Sequence, residues 1–423
     1  MPRFIITGGN KLNGNVRING AKNSILPILA ASILADGPST IDEVADLNDV
    51  RVMCDILSSL GADTQKAYDY SSIIIDPRGI NVSSTPYELV NKMRASFLVL
   101  GPMIAKFGRA RISLPGGCAI GLRPVDLHIK GFTAMGAEII QEHGYIEAVA
   151  KKLSGAKIYL DFPSVGATEN ILMAATLAEG QTIIENAAVE PEIVDLANYL
   201  IAMGADIKGA GTDNIRVNGV KTLKGVTHSV IPDRIEASTY MIAAAITGGE
   251  VTLDNVEPDH LKPVTAKLKE IGAEISEEIS TITVKGPDKP KAVDVKTLPY
   301  PGYPTDAQAQ ITALMSLCDG TSIIIETVFE NRFAYVSELK RMGASIKIEG
   351  RSAVVEGCDN LTGAKVKTTD LRAGAALVVA GLAAKGQTEV LDIDHIERGY
   401  FRMDEKLKAL GADIIRIDDT EMA

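Results

Sequence analysis

The chain has 423 residues, 46% of them hydrophobic, and a formal net charge of −11 at pH 7. A chain of this length and composition can bury a large core and is expected to form two domains. The acidic balance argues against nucleic acid as a partner, because nucleic-acid-binding proteins need a concentrated positive surface. An anionic ligand would therefore have to be bound by a local cluster of basic residues.

The four cysteines show no paired spacing and follow no secretory leader, which predicts a reducing, cytoplasmic location without a disulfide framework. The longest apolar candidate for a membrane span, AGAALVVAGLAA, is well short of the ~20 residues that a bilayer requires, so it predicts a buried helix and no membrane partner. The five histidines are scattered and have no metal-ligand spacing. We expect no metal and no cofactor.

Internal repetition is the strongest organisational signal along the chain. The phrase L-x-x-[L/M/I]-G-A-[D/E/S] occurs five times, and GFTAMGAE is a degenerate sixth copy. Each copy closes an apolar helical period before a β-rich stretch, so its glycine is predicted to end a helix. These glycines are Gly61, Gly136, Gly204, Gly272, Gly343 and Gly411. The spacing indicates six repeats, each with two helices and about four strands.

The sixth repeat is incomplete, because only DDTEMA follows LKALGADIIRI. The first residues, FIITGGNKLNGNVRINGAKN, have the pattern of the missing part, so they are predicted to complete the last repeat. Residues 21–230 should then form one three-repeat domain, and residues 1–20 with 231–423 the other. We expect the active site in the cleft between the two domains, where ligands often bind.

The first helix of each repeat begins with polar or charged residues. Aspartate, serine and asparagine are ordinary helix caps, so capping alone explains some of them. Cations at a helix N-terminus oppose the helix dipole, however, and an anionic ligand would offset them. The residues at these starts are Lys22, Asn23, Arg94, Asp233, Arg234, Asp306, Asp370 and Arg372, with Ser164, Val165 and Gly166 as backbone donors.

Several segments resemble one known family: GAKNSILPILAA, LPGGCAIGLRPVDLHI, YPTDAQAQ, TVFENRF, TDLRAGAALVVAG and HIERGY. They are similar to the UDP-N-acetylglucosamine 1-carboxyvinyltransferases, and the similarity covers nearly the whole chain. The resemblance implies a two-domain inside-out α/β barrel, with three βαβαββ repeats per domain and helices packed inside. It also implies transfer of the enolpyruvyl group from phosphoenolpyruvate to the 3-hydroxyl of UDP-N-acetylglucosamine, in the first committed step of peptidoglycan synthesis.

Cys118 lies in LPGGCAIGLRPVD, between a glycine pair and Arg123. Enolpyruvyl transfer needs a proton donor near C3 of phosphoenolpyruvate, and a thiol beside cations can act as an acid or as a nucleophile. The residues alone leave open that Cys118 is a surface-loop cysteine without a function in catalysis. Cys54 and Cys318 fall on apolar helical faces and are predicted to be core residues.

The resemblance also implies roles for individual residues at the phosphoenolpyruvate site. Lys22, Arg123 and Arg398 would hold its phosphate and carboxylate, and Arg332 and Arg372 would assist closure. Planar guanidinium groups suit both anions.

The same motifs imply roles at the acceptor. Asp306 would take the proton from the sugar 3-hydroxyl, Asn23 would help to orient the sugar, and Asp370 would lie near the reacting centre. The UDP part is expected on Arg94, Arg123, Pro124, Val125, Asp126, Leu127, Ser164, Val165, Gly166 and Val328.

Two other functions stay open from the sequence, and so does the oligomeric state. A shikimate 3-phosphate enolpyruvyl transferase is disfavoured by the loop cysteine and RPVDL, because that enzyme lacks both. A non-catalytic paralogue that binds the UDP-sugar is disfavoured by the joint presence of Lys22, Cys118, Asp306 and Arg398, because binding alone needs no thiol. Asn48 and Leu98 depart from residues that some relatives carry near the substrate.

Overall fold

The structure is a computed structural model that describes residues 2–66, 71–114 and 125–418. The described chain forms two compact bodies. We call residues 20–231 the N-unit, and residues 2–19 together with 232–418 the C-unit. The chain passes from one unit to the other at residues 19/20 and 231/232.

The elements of the N-unit follow two strands that belong to the C-unit. Those strands are β1 (Arg3–Thr7) and β2 (Asn13–Arg17). The first repeat contains α1 (Lys22–Ala31), β3 (Ser39–Asp42), α2 (Asn48–Leu60), β4 (Asp63–Lys66) and β5 (Ser72–Asp76). The second contains α3 (Tyr87–Val90), α4 (Leu100–Phe107), β6 (Arg109–Ser113), α5 (Asp126–Ala134), β7 (Glu138–Glu142) and β8 (Tyr145–Val149). The third contains β9 (Lys157–Tyr159), α6 (Val165–Ala175), β10 (Gln181–Glu185), α7 (Pro191–Met203), β11 (Asp206–Lys208) and β12 (Asn214–Asn218), and β13 (Thr227–Ser229) follows.

The C-unit continues the same order of elements. Its first repeat contains α8 (Arg234–Thr247), β14 (Glu250–Asp254), α9 (Lys262–Ile271), β15 (Glu274–Glu277) and β16 (Thr281–Lys285). The next contains β17 (Val295–Lys296), α10 (Gln308–Met315), β18 (Thr321–Ile325), α11 (Val336–Arg341), β19 (Ser345–Glu349) and β20 (Ser352–Glu356). The last contains β21 (Lys365–Lys367), α12 (Leu371–Ala383), β22 (Gln387–Leu391), α13 (Met403–Ala409) and β23 (Asp413–Ile417).

Five of the six sheets formed by the described residues share one four-strand pattern, and the sixth, β6-β8-β7, has three antiparallel strands. In the sheet β17-β18-β20-β19, the first two strands are parallel and the other neighbours are antiparallel. The sheet β21-β22-β1-β23 has the same pattern with β1 in third place, and Phe4 lies opposite Val390 and Arg416. The N-terminal strand thus completes the last repeat, as the sequence predicts.

The strands before the two crossings stay with the units that they leave. β2 pairs in parallel with β14 of the C-unit, and β13 pairs in parallel with β3 of the N-unit. The helix after each crossing, α1 or α8, then opens the next unit.

The sheets surround helices that are buried on all sides. In the C-unit, α8, α10 and α12 pack against one another, and in the N-unit α1 and α4 pack against α6. All residues of α10 are buried, and α12 is buried from Arg372 to Leu382. The outer helix α2, in contrast, buries one face, which includes Val50, Met53, Leu57 and Leu60. This arrangement is the inside-out α/β barrel predicted from the sequence. No helix in the described ranges is long and apolar enough to span a bilayer.

The six predicted helix-ending glycines all have positive φ, between 88° and 114°. At Gly204, which follows α7, φ is 114°, and no described atom lies within 4 Å of the position where a Cβ would stand. The glycine is therefore required by backbone conformation and not by crowding.

Gly204→Ala should destabilise the N-unit by about 1–2 kcal/mol, because an L-residue is strained at this φ. The measurement is a shift of the chemical denaturation midpoint. Gly37→Ala is the matched control, because Gly37 has no such φ and open space around its Cβ. Equal shifts for the two variants would contradict this explanation of the repeated glycine.

Candidate active site

Lys22 is the first residue of α1 and is nearly buried. Its Nζ lies 3.1 Å from Oδ2 of Asp49, and the two side chains are 11% and 5% exposed. Asp49 is in the first turn of α2, where a carboxylate suits the helix dipole. A buried ammonium needs an anion, so Asp49 stabilises its charge. This partner was not predicted from the sequence, although the aspartate in DLNDV was a signal that could have indicated it.

Arg94 begins a short 3-10 helix, Arg94–Val99, and lies close to the buried His128. Burial and the charge of Arg94 lower the pKa of His128 to about 3. Asn170 Oδ1 accepts from the Gly101 N–H, so its amide nitrogen donates to His128 Nδ1 at 3.1 Å. The imidazole is therefore neutral with its proton on Nε2.

The start of α6 lies next to this histidine. Ser164 is the N-cap of α6, and its hydroxyl accepts from the Ala167 N–H at 3.4 Å. A Cβ on Gly166 would stand 3.5 Å from His128 Nε2. The Nε2–H group of His128 therefore lies next to the predicted backbone donors Val165 and Gly166. His128 was not predicted as a site residue, because nothing in its local sequence indicates which residues lie next to it.

The predicted UDP-binding residues near the start of α5 line a groove. Val125, Asp126 and Arg94 border a cavity of about 1060 Å³ in the N-unit, together with Lys130 and Thr133. Leu127 follows Asp126 in the first turn of α5, and Asn23 follows Lys22 in α1.

Asp306 is the centre of an ionic cluster in the C-unit. Its Oδ1 accepts from Arg332 Nη2 at 2.9 Å, and its Oδ2 accepts from Arg372 Nε at 3.2 Å. The two arginine side chains are 3% and 4% exposed, whereas that of Asp306 is 27% exposed. The carboxylate is therefore the part of the cluster that solvent, or a substrate, can reach.

Asp370 and Tyr400 hold the arginines of this cluster. Asp370 Oδ1 caps α12 through the Arg372 and Ala373 N–H groups, at 2.9 and 3.1 Å, and lies 3.9 Å from Arg332 Nη1. The guanidinium of Arg372 lies 5.5 Å from the centre of the Tyr400 ring. Burial opposes the charge of Arg372, but Tyr400 and Asp306 outweigh it and raise its pKa, so the arginine stays charged.

Glu326 orders the backbone next to the cluster and was not predicted. This carboxylate is 1% exposed, accepts from the Val328 N–H at 2.7 Å, and accepts from the Thr305 hydroxyl at 2.9 Å. It thereby joins the predicted UDP-binding residue Val328 to the turn that carries Asp306.

Four predicted site residues remain: Arg398, Cys118, Arg123 and Pro124. Arg398 ends the 3-10 helix Ile393–Arg398 of the C-unit. Cys118, Arg123 and Pro124 lie outside the described residues. The structure thus brings Asp306, Arg332, Asp370 and Arg372 together in the C-unit.

Comparisons with known proteins agree with these motifs. Residues 6–407 match the family described as EPSP synthase (3-phosphoshikimate 1-carboxyvinyltransferase). A UDP-N-acetylglucosamine 1-carboxyvinyltransferase 1 of Caldanaerobacter subterraneus subsp. tengcongensis is 61% identical over 98% of this chain and 99% of its own. A UDP-N-acetylglucosamine 1-carboxyvinyltransferase 2 of Carboxydothermus hydrogenoformans is 59% identical over 99% of this chain and 100% of its own.

The chain belongs to the UDP-N-acetylglucosamine 1-carboxyvinyltransferase family. Its fold is that of the enolpyruvyl transferases. The solved structure of the enolpyruvyl transferase NikO from Streptomyces tendae matches it with a TM-score of 0.89, at 25% identity and over 98% of both chains. An EPSP synthase from Acinetobacter baumannii has the same fold, with a TM-score of 0.78 at 21% identity, over 99% of this chain and 100% of its own.

The buried neutral His128 predicts a pH dependence of stability. Its pKa is about 3 in the folded protein, against 6.5 for an ordinary histidine, so the unfolded chain binds the additional proton first. Its contribution is fully present above about pH 6.5 and decreases as pH falls towards 3, by at most ~1.4 kcal/mol per pH unit.

His128→Gln should therefore flatten the fall of stability between about pH 6.5 and 4 in chemical denaturation, relative to the unmodified protein. His143→Gln is the control, because the His143 side chain is 88% exposed. An unchanged slope in His128→Gln would show that His128 is not held neutral.

Proposed function

We propose that this protein transfers the enolpyruvyl group of phosphoenolpyruvate to the 3-hydroxyl of UDP-N-acetylglucosamine and releases phosphate. In the cell this is the first committed step of peptidoglycan synthesis, in the cytoplasm. The observation that carries the proposal is the 57–61% identity, over nearly the full chain, to relatives that bear the name of this activity. These relatives favour the UDP-sugar over shikimate 3-phosphate as the acceptor.

Asp306 is the proposed base that activates the acceptor hydroxyl. Addition of the sugar oxygen to C2 of phosphoenolpyruvate requires removal of the hydroxyl proton, and C3 takes up another proton. Because Arg332 and Arg372 hold one oxygen each, the carboxylate keeps a fixed orientation and its exposed edge can accept the sugar hydroxyl. Loss of phosphate from C2 and of one proton from C3 then restores the double bond and completes the transfer. Asp370, 3.9 Å from Arg332 Nη1, stabilises the charge of that arginine.

The basic side chains of the site are proposed to bind the phosphate and carboxylate of phosphoenolpyruvate and the diphosphate of the UDP-sugar. Lys22, Arg123 and Arg398 would bind phosphoenolpyruvate, with assistance from Arg332 and Arg372. In support, Arg332 and Arg372 both donate to Asp306, so two fixed cations lie next to the proposed base. The UDP part is assigned to the predicted residues around Arg94, the start of α5, the start of α6, and Val328, with Asn23 on the sugar.

Cys118 is the proposed proton donor to C3, and this role depends on the sequence motif. The other cysteines are poor competitors for the chemistry. Burial raises the pKa of the Cys54 thiol to about 11 and that of Cys318 to about 12, and it also raises the pKa of Cys358.

Asp306→Ala should lower turnover by ~10² or more, because the base is lost while the cations that bind the substrates remain. The assay measures phosphate release from phosphoenolpyruvate with UDP-N-acetylglucosamine and, separately, with shikimate 3-phosphate. Asp288→Ala is the control, because the side chain of Asp288 is 97% exposed. Near-normal turnover in Asp306→Ala would refute its role, and release with shikimate 3-phosphate alone would refute the proposed acceptor.

An epoxide phosphonate such as fosfomycin should modify Cys118 first, and faster when UDP-N-acetylglucosamine is bound. The reason is that thiolate character controls such alkylation, and Cys54 and Cys318 have raised pKa values. Peptide mass spectrometry after a brief exposure identifies the modified residue. Labelling mainly on the other cysteines, or no acceleration by the sugar nucleotide, would contradict the role of Cys118.

A further inference from the structure

A buried carboxylate in the N-unit collects hydrogen bonds from three separate parts of the chain. Asp195, on α7, is 3% exposed. It accepts from the Ser24 hydroxyl on α1, from His228 Nε2 on β13 at 2.8 Å, and from the Ile231 N–H at 3.3 Å. A buried carboxylate is stable only when such donors satisfy it, so the four residues form one network.

The order of the groups excludes a nucleophilic role for the serine. In a Ser-His-Asp triad the histidine lies between the other two, so that it can take the serine proton. Here the aspartate lies between Ser24 and His228, and Ser24 is completely buried. The network therefore holds side chains in place and does not activate a hydroxyl.

The network of Ser24, Asp195, His228 and Ile231 holds the first turn of α1, which carries Lys22 and Asn23. Helix α1 follows Ala21, which has no side-chain acceptor for the first N–H groups. Pro27 stands inside the helix and has no N–H to donate to the Asn23 carbonyl, four residues before it. The first turn of α1 thus lacks a cap at its start and a backbone hydrogen bond at the Asn23 carbonyl. Contacts with other parts of the chain must therefore stabilise it.

Ser24 supplies that anchor from within the turn itself. Its hydroxyl donates to Asp195, while the Ala21 N–H donates to the Ile231 carbonyl at 2.8 Å. The Ile231 N–H donates back to Asp195, so α1 and the end of the N-unit share one carboxylate. Lys22 Nζ is held separately, by Asp49 at 3.1 Å.

We propose that Asp195 is a positioning residue that, through Ser24, fixes the first turn of α1 and so places Lys22 and Asn23 for the reaction. The proposal rests on the proposed function, because Lys22 and Asn23 matter here as substrate contacts. It adds Ser24, Asp195 and His228 to the residues on which that site depends.

The kinetic test compares variants of the network. Ser24→Ala should raise the KM for phosphoenolpyruvate about 10-fold and change kcat less than about 3-fold, because binding by Lys22 loses its fixed geometry. Asp195→Ala should do the same or more. The double variant Ser24→Ala/Asp195→Ala should have no higher KM than Asp195→Ala alone, because both substitutions remove the same Ser24–Asp195 hydrogen bond.

Two further variants separate positioning from a general loss of packing. Asp195→Asn should stay close to the unmodified protein, because its amide oxygen can replace Oδ2, which accepts from both Ser24 and Ile231. Its amide nitrogen can donate to His228 Nε2 in the tautomer that carries the proton on Nδ1. Ser32→Ala is the matched control, because Ser32, which directly follows α1, is also completely buried, but within the described residues its hydroxyl donates to the nearby Leu29 carbonyl and not to another element. An equal KM effect of Ser32→Ala and Ser24→Ala would overturn the proposal.

Hydrogen exchange tests the same idea without substrate. The Ser24 and Ile25 amides donate to the Ala21 carbonyl at 2.9 Å, so their exchange reports on the first turn. Exchange in the peptide that covers this turn should be faster in Ser24→Ala, and unchanged in Asp195→Asn and Ser32→Ala. Unchanged exchange and KM in Ser24→Ala would overturn the positioning role. If the unmodified protein releases no phosphate, the proposed function is refuted. The hydrogen-exchange result would still decide whether Asp195 and Ser24 fix the first turn of α1.

Discussion

A helix that is buried on all sides can meet water and ligands only at its ends. The inner helices α1, α6, α8, α10 and α12 are under this constraint, because sheets and other helices cover their flanks. Their interiors are therefore mostly small and apolar, and the charged side chains of the proposed site lie in or next to their first turns. Lys22, Asp306 and Arg372 occupy equivalent places in different repeats for this reason, and the helix N-terminus adds its own attraction for anions.

Charges in such places need partners in the absence of substrate. Lys22 has Asp49, and Asp306 has Arg332 and Arg372. Buried pairs of this kind contribute little net stability, because desolvation opposes their attraction. Their effect is to fix atoms in position, which a reaction between two anionic substrates requires. The Asp195 network extends the same principle to the backbone that carries Lys22.

Local sequence pattern predicted the features that local physics determines. The repeated glycines end helices because positive φ favours glycine, and β1 completes the last repeat because its strand pattern matches the missing part. The helix-start residues were also identified, since cations there conflict with the dipole. The pairings of Lys22 with Asp49 and of Ser24 with Asp195 were not, because periodicity contains no information about which distant residues meet. The roles of the proposed site residues come from the resemblance and stay predictions, those of Lys22, Asp306 and Asp370 as much as those of Cys118, Arg123 and Arg398.

The most direct measurement is a crystal structure with UDP-N-acetylglucosamine and inorganic phosphate bound. The account predicts the sugar 3-oxygen at hydrogen-bond distance, about 2.6–3.2 Å, from an Asp306 carboxylate oxygen. It also predicts the phosphate within reach of Lys22, at the start of α1. A sugar nucleotide bound away from Asp306, with the phosphate distant from the first turns of the inner helices, would contradict the claim that buried helices place the charges for the substrates.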